Sequence, residues 1–236
     1  MVLAAGKGTR LGAVTGDIPK PMVVVNGRPI LDWTLEALAR YGVRDVVINT
    51  HHRADVITGF CGDGSRWGLR IQYSPESRLQ GTAGALRPWR QFFDRTFFVV
   101  YGDNMSTCRY DRLLEAHRTR HADATVALFW RPDPTASGIA ALDDEDWIAR
   151  FVEKPSPDQV FSRWVNAGVL VIEPHLLETI TDPDPVDFSR DLLPQWTAER
   201  RVLGYRMSDE EKLWWIDTPE DLARVEAEFR HDGARA

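Results

Sequence analysis

The chain has 236 residues, a formal net charge of −6 at pH 7 and an ordinary apolar fraction of 43%. This length suits one large domain, or one domain with a small lobe. The acidic balance argues against a nucleic-acid partner, whose binding domain is usually basic. No apolar run approaches the roughly 18 residues of a membrane-spanning helix, so we expect no membrane partner.

Cysteine usage and the start of the chain bear on the compartment. Cys61 and Cys108 lie far apart and form no CxxC pair. The first residues lack the basic region and the long apolar region of a signal peptide. We therefore expect reduced thiols and a cytoplasmic location.

Strand-like and helix-like segments alternate along the chain, which predicts an α/β fold with a mostly parallel sheet covered by helices on both faces. Pro29 suits a helix start, and leucines recur behind it at helical spacing until Gly42. The predicted strands are 43–50, 69–74, 97–101, 125–130 and 201–206. The predicted helices are 53–60, 82–89, 110–121, 188–198 and 219–229. Between Pro132 and about Pro174 the pattern changes to short strands at 138–142, 147–153 and 165–172, separated by turn residues.

The segment from residue 3 to 31 has the composition of a phosphate-binding loop. Gly6 and Gly8 permit a close backbone approach, and consecutive N–H groups in such a turn form an anion-binding concavity. Arg10 adds a planar donor fork, and Lys7 and Lys20 add point charges. The segment is neither a Walker A loop nor GxGxxG. On the GKG pattern alone, a glycine-rich connection with solvated charges stays open.

Two aspartates are candidate metal ligands. Asp103 directly follows the predicted strand 97–101, at the strand end where α/β sheets bind ligands. A carboxylate there can hold Mg²⁺, although Gly-Asp-Asn is also common turn chemistry. Asp217 offers a second carboxylate, although it could instead cap the helix that opens at Pro219.

Five ordered segments resemble the sugar-phosphate nucleotidylyltransferases (NDP-sugar pyrophosphorylases), which join a nucleoside triphosphate to a sugar 1-phosphate and release pyrophosphate. These segments are LAAGKGTR with the later KP pair, QGTAGAL (80–86), GDN (102–104), FVEKPS (151–156) with NAGVLVI (166–172), and WWIDTPEDL (214–222). The resemblance implies a Rossmann-like nucleotidyltransferase fold with a small β-rich sugar-binding subregion. It implies a single domain, 1–236, with a nucleotide-binding half (1–131) and a half that binds the sugar and carries the closing helices (132–236).

Both ends of the chain differ from many relatives. No hexapeptide repeat follows residue 230, so we expect no C-terminal β-helix. Family members usually carry a few more residues before the LAAG element. We therefore expect a short first strand here, or a start codon that lies further upstream.

The resemblance also implies residue roles. Arg10 and Lys20 would be catalytic, since they hold the triphosphate and stabilise charge at the α-phosphorus, and Mg²⁺ would be the cofactor, bound by Asp103 and Asp217. The implied nucleotide-binding residues are Leu3, Ala4, Ala5, Gly6, Lys7, Gly8, Thr9, Gln80, Gly81 and Thr82. The implied sugar-phosphate-binding residues are Gly138, Glu153, Lys154 and Asn166.

Two departures from the family pattern concern substrate choice. Gln80 stands where relatives often have leucine, and its amide could help to read a base edge. The run Asp217-Thr218-Pro219 is shorter than the commoner Asp-x-Gly-Thr-Pro. It is closer to the form in cytidylyltransferases that activate a keto sugar acid.

The expected partners are a nucleoside triphosphate and a sugar 1-phosphate. GTAGAL and the EKP…NAG spacing are most similar to guanylyltransferases of mannose 1-phosphate and heptose 1-phosphate, which favours GTP. Thymidylyl, uridylyl or cytidylyl transfer to another sugar phosphate is the alternative.

A catalytically idle subunit that senses sugar nucleotides is a further alternative. The presence of Arg10, Lys20, Asp103 and Asp217 argues against the idle subunit. The EKP and NAG elements argue against a plain nucleotide-binding module without a sugar partner. The sequence does not decide whether the protein forms a homodimer.

Overall fold

A computed structural model describes residues 1–6, 18–181, 185–199 and 201–233. Its strands are β1 (Val2–Leu3), β2 (Val24–Val25), β3 (Arg28–Pro29), β4 (Asp45–Thr50), β5 (Arg70–Pro75), β6 (Phe97–Tyr101), β7 (Asn104–Ser106), β8 (Ala124–Trp130), β9 (Gly138–Leu142), β10 (Ile148–Glu153), β11 (Trp164–Ile172), β12 (Val202–Arg206) and β13 (Leu213–Trp215). Its α-helices are α1 (Ile30–Arg40), α2 (Ala54–Cys61), α3 (Tyr110–Thr119), α4 (Leu193–Glu199) and α5 (Pro219–Gly233).

The chain divides into two compact units, each described here by itself. The β1 unit comprises Val2–Arg78, Tyr101–Thr107 and Leu213–Ala236. The β11 unit comprises Met1, Leu79–Val100 and Cys108–Lys212. The single domain 1–236 with its two sequence halves stays a prediction.

In the β1 unit, three strands form a parallel ladder. β1 pairs with β4, and β4 pairs with β5 from Asp45 opposite Arg70 to Thr50 opposite Pro75. These strands are rich in β-branched residues, which suit a buried pleated surface. Helix α1 presents Leu31, Leu35 and Leu38 on its buried face and ends before Gly42, whose φ is +86°. A positive φ is why glycine suits that position.

One apolar cluster of the β1 unit joins segments that are far apart in the sequence. Its fully or almost fully buried members are Val23, Val25, Ile30, Met105, Ile216 and Val225. Trp33 and Trp214 pack against it, and both rings contact the ring of Phe229 in α5. The cluster therefore fixes the chain near residue 23, the β7 segment and the start of α5 relative to one another.

In the β11 unit, the long strand β11 lies at the centre of a mixed sheet. It pairs antiparallel with β6, β8 and β9, while β9 pairs antiparallel with β10 and β12 pairs parallel with β8. Every residue of β11 after Trp164 is buried. The short predicted strands 138–142, 147–153 and 165–172 correspond to β9, β10 and β11.

The predicted α/β class is confirmed, and several details differ from the sequence expectations. The helix predicted at 82–89 is a 3₁₀-helix at Gly84–Trp89, and the helix predicted at 188–198 opens with a π-helical turn at Phe188–Leu192. The antiparallel pair β7–β13 was not predicted at all. None of the helices in the described ranges is both long enough and apolar enough to cross a membrane.

Candidate active site

Lys20 lies between two carboxylates of the β1 unit. Its Nζ is 2.9 Å from Oδ2 of Asp103 and 2.7 Å from Oδ1 of Asp217. The residue is only 7% exposed, and it opens a 3₁₀-turn in which Met22 N–H donates to the Pro19 carbonyl. Burial acts to lower the pKa of Lys20, but the two carboxylates outweigh burial and raise the pKa above its ordinary value. Lys20 is therefore a fixed positive charge.

The register of β7 and β13 places the two aspartates beside each other. Asn104 of β7 pairs with Trp215 of β13. Asp103 directly precedes Asn104 in the sequence, and Asp217 follows Trp215 by two residues. The chain at Gly102 lies against β1, because Gly102 N–H donates to the Leu3 carbonyl at 2.9 Å. A Cβ at Gly102 would be only 3.1 Å from that carbonyl oxygen, so the close approach depends on glycine.

The start of α5 bears on one of the two interpretations of Asp217, its role as a helix cap. Asp221 Oδ2 accepts the N–H groups of Asp217 and Thr218 at 3.2 and 3.1 Å. Thr218 Oγ1 in turn accepts the Asp221 N–H at 3.2 Å, which is the reciprocal pattern of a capping box. Since Thr218 and Asp221 cap the helix, the carboxylate of Asp217 is not needed as its cap and points to Lys20 instead.

The two aspartates fit a divalent ion in donor type and number. Both carboxylates converge on one positive atom, Nζ of Lys20, and both remain partly accessible, with side-chain exposures of 36% and 24%. Mg²⁺ is held by one or two carboxylates with substrate phosphates and water as further ligands. The described residues contain no group of three or more His, Cys, Asp or Glu side chains arranged for a metal. Asp103 and Asp217 could hold such an ion together with ligands from a substrate.

The side-chain amide of Asn49, which sequence reasoning missed, supports the start of the segment that is predicted to bind phosphate. Asn49 at the end of β4 accepts the Ala4 N–H at 2.7 Å and donates to Glu76 Oε1 at 2.7 Å. His51 Nδ1 contacts the Glu76 carbonyl at 2.7 Å. Leu3, Ala4 and Ala5 are themselves buried. The sequence signal for this support was an asparagine directly after the apolar run Val46–Ile48.

A second polar cluster lies in the β11 unit, where Gly138 pairs with Glu153 across β9 and β10. A Cβ at Gly138 would lie 2.4 Å from Cζ of Phe151 and 2.7 Å from Oε2 of Glu153. Gly138 therefore leaves the space that the Glu153 carboxylate occupies. Burial raises the pKa of Glu153, against the effects of Lys154, Arg190 and a hydrogen bond with Ser189, while the Asp187 charge adds to the rise.

Asn166 and Lys154 belong to the same cluster. Asn166 is 8% exposed, accepts the Gly168 N–H at 2.9 Å and donates to Ser189 Oγ at 3.1 Å. Lys154 follows Glu153 with a left-handed φ of +47°, a conformation that non-glycine residues rarely adopt. Such backbone positions concentrate at functional sites.

The loop that contains Gln80, Gly81 and Thr82 packs against the segment at Val186. Gly81 has φ +79°, and a Cβ there would lie 2.4 Å from the Val186 carbonyl oxygen. The 3₁₀-helix that follows Thr82 has no side-chain cap bond. The N–H and hydroxyl of Thr82 donate to Asp187 Oδ1, at 3.0 Å each. Gln80 Oε1 accepts from Arg87 Nη1 at 3.2 Å.

The structure thus brings Lys20, Asp103 and Asp217 together in one unit, and Gly138, Glu153 and Asn166 together in the other. Gly6 is described and exposed. Lys7, Gly8, Thr9 and Arg10 lie outside the described residues. Asp187 and Ser189 were not foreseen, because a DFS run carries no distinct motif of its own.

Comparison with known families decides the assignment. The model of one family, described as nucleotidyl transferase, matches residues 1–229. The chain belongs to the nucleotidyl transferase family. The resemblance to sugar-phosphate nucleotidylyltransferases is thereby confirmed.

Curated relatives of this nucleotidyl transferase differ in substrate. A mannose-1-phosphate guanylyltransferase of Mycobacterium tuberculosis is 34% identical over 97% of this chain and 64% of its own length. A UTP–glucose-1-phosphate uridylyltransferase of Synechocystis is 33% identical over 83% of this chain and 54% of its own length. The chain spans 54–64% of the length of such curated relatives.

Solved structures share the nucleotidyl transferase fold. A Bacillus anthracis protein in complex with a sucrose has a TM-score of 0.85 at 22% identity, over 96% of this chain and 92% of that chain. HddC from Yersinia pseudotuberculosis, complexed with GMP-PN, has a TM-score of 0.80 at 25% identity, over 97% of each chain.

Proposed function

We propose that this nucleotidyl transferase joins a nucleoside triphosphate, with GTP as the leading candidate, to a sugar 1-phosphate of the mannose or heptose type. An oxygen of the sugar phosphate attacks the α-phosphorus, the new P–O bond forms, and the bond to the β-phosphate oxygen breaks. Pyrophosphate leaves and an NDP-sugar is the product. We extend the proposal to Mg²⁺ as cofactor and to the cytoplasm as location.

The observation that carries the proposal is the convergence of Lys20, Asp103 and Asp217 at 2.7–2.9 Å. A buried ammonium between two carboxylates costs desolvation energy. Because α5 is capped by other residues, helix capping does not account for Asp217. An idle sensing subunit would have no use for this arrangement, so the convergence favours a catalyst.

Each residue has a role in the proposed reaction. Lys20, positively charged through its high pKa, holds triphosphate oxygens and stabilises the charge that builds up at the α-phosphorus. Asp103 and Asp217 would hold Mg²⁺, which would supply positive charge beside the phosphates. Lys154 binds the sugar phosphate, and Glu153 and Asn166 hydrogen-bond sugar hydroxyls. Arg10 binds the triphosphate together with Lys20.

Arg87 bears on the choice of base through Gln80. An arginine side chain has donors only, so the amide atom of Gln80 that meets Arg87 is its oxygen. The amide nitrogen of Gln80 is a donor, and donors match the oxo groups of guanine, uracil and thymine. Cytosine and adenine present an amino group at that position instead. This favours GTP, UTP or dTTP over CTP and agrees with the substrates of the named relatives.

A pyrophosphate-release screen tests the proposal. GTP, dTTP, UTP, CTP and ATP are each combined with mannose 1-phosphate, heptose 1-phosphate and glucose 1-phosphate in the presence of Mg²⁺. Release that requires both substrates is expected, and Asp103→Asn should abolish it. The matched control is Asp45→Asn, which removes only an exposed pair with Arg70 and should keep wild-type rates. Failure of every pair would refute the proposed reaction.

A further inference from the structure

We propose that Ser189 is a positioning residue of the sugar-phosphate site, where its hydroxyl sets the orientation of both Asn166 and Glu153. The inference rests on the proposed function, because it assigns these two side chains to sugar hydroxyls. It adds a residue from the segment before α4, outside the motifs of the sequence analysis.

The directions of the hydrogen bonds follow from chemistry. Asn166 accepts the Gly168 N–H through Oδ1, so the end of the amide that faces Ser189 must be the donor Nδ2. Ser189 Oγ accepts that N–H at 3.1 Å. The hydroxyl has one proton, and the Glu153 carboxylate is the anionic group with which that hydroxyl interacts. Two measured hydrogen bonds therefore link Gly168, Asn166 and Ser189, and the Ser189 hydroxyl also stabilises the charged form of Glu153.

Ser189 itself is held firmly in place. The neighbouring Phe188 is fully buried, and its N–H donates to Thr82 Oγ1 at 2.8 Å. Asp187 accepts twice from Thr82 and donates its own N–H to Asp191 Oδ2 at 2.7 Å. With residues 187 and 188 anchored on one side and α4 following on the other, the serine is preorganised. A group held by packing and hydrogen bonds can orient neighbours at little entropic cost.

The charges around Glu153 make the role of the serine measurable. Burial raises the Glu153 pKa, and Asp187 adds to the rise, while Lys154, Arg190 and the Ser189 hydroxyl oppose it. Loss of the hydroxyl removes one stabilising donor from the carboxylate. The carboxylate would then take up its proton at a higher pH and would also lose its fixed direction.

The test compares Ser189→Ala with wild type at saturating and limiting levels of each substrate. We expect KM for the sugar 1-phosphate to rise about tenfold, as for loss of a hydrogen bond to a charged group, with KM for the triphosphate within about twofold. The acid limb of kcat/KM for the sugar phosphate should move to higher pH. Ser189→Thr, which keeps the hydroxyl, should restore both values.

Controls separate positioning from stability. Ser208 also donates its hydroxyl to a glutamate of the same unit, to Glu211 at 3.1 Å. Ser208→Ala is expected to alter the melting temperature without altering KM for the sugar phosphate. Should Ser189→Ala fail to fold, Ser189→Cys, whose thiol has a similar shape and is only a weak donor, takes its place in the comparison.

The outcomes are distinct from those of the reaction screen. An unchanged sugar-phosphate KM and acid limb in Ser189→Ala, or equal rises in both KM values, overturns the inference while leaving the reaction intact. If wild type turns over no substrate pair, the proposed function fails, and the Kd of mannose 1-phosphate from calorimetry replaces KM. An unchanged Kd in Ser189→Ala, or no binding by wild type, overturns the inference.

Discussion

Replacing Gly138 with alanine tests whether the space beside Glu153 is required for sugar binding. The new Cβ would lie 2.4 Å from Cζ of Phe151 and 2.7 Å from Oε2 of Glu153, whereas carbon contacts ordinarily lie at about 3.5–4.0 Å. Phe151 is only 4% exposed, so its ring cannot swing into solvent, but the carboxylate end of Glu153 can rotate away. We therefore expect an overpacking cost of about 1–3 kcal/mol together with a displaced carboxylate.

Thermal unfolding and steady-state kinetics measure the two effects. The melting temperature of Gly138→Ala should fall by roughly 2–4 °C for each kcal/mol lost, and KM for the sugar phosphate should rise while KM for the triphosphate changes little. The matched control is Gly59→Ala in α2, where a Cβ meets nothing within 4 Å. That control should gain about 0.5–1 kcal/mol, because alanine is favoured over glycine within a helix. Wild-type stability and KM in Gly138→Ala would refute the steric reasoning.

Further substitutions test the assigned roles. Asp103→Asn should nearly abolish turnover, and near-normal rates at limiting Mg²⁺ would remove Asp103 from the metal site. Lys154→Ala should raise KM for the sugar phosphate about tenfold and KM for the triphosphate far less, and equal rises would contradict its assignment. Burial raises the Glu153 pKa, so wild-type KM for the sugar phosphate should increase as pH falls through that raised value. Glu153→Gln should lack this acid limb. Gln80→Glu offers acceptors only, so preference should move from GTP towards ATP and CTP, and an unchanged preference would exclude base reading by this residue.

Elements with local signals were predictable from the sequence. β6 has the predicted bounds, and α1 has its leucines on the buried face, because alternation, helical spacing and a terminal glycine are all local patterns. β7 and β13 were not predictable. Each has three residues, too short to show a period, and they pair across more than a hundred residues of intervening chain. Their pairing is nevertheless what places Asp103 beside Asp217.

The roles of single polar residues were likewise predictable only where the sequence carries a local signal. The sequence motifs named Asp217 but could not decide between a cap and a ligand, since both need an oxygen just before a helix. The bonds of Thr218 and Asp221 exclude the cap role, and the ligand role stays a prediction. Asn49 and Ser189 were missed because each acts through a partner that is distant in the sequence, Glu76 in one case and Glu153 in the other.

The β1 unit couples its candidate catalytic groups to its core. Asp217 is next to Ile216, Asp103 is two residues from Met105, and Lys20 is three residues from Val23, and these apolar residues belong to one buried cluster. The chain near each charged group is therefore fixed by the same packing. Two aspartates held this close repel each other, and the Lys20 ammonium offsets that repulsion when no other cation is bound. Rigid packing thus keeps the carboxylates in position, and Lys20 keeps that position electrostatically stable.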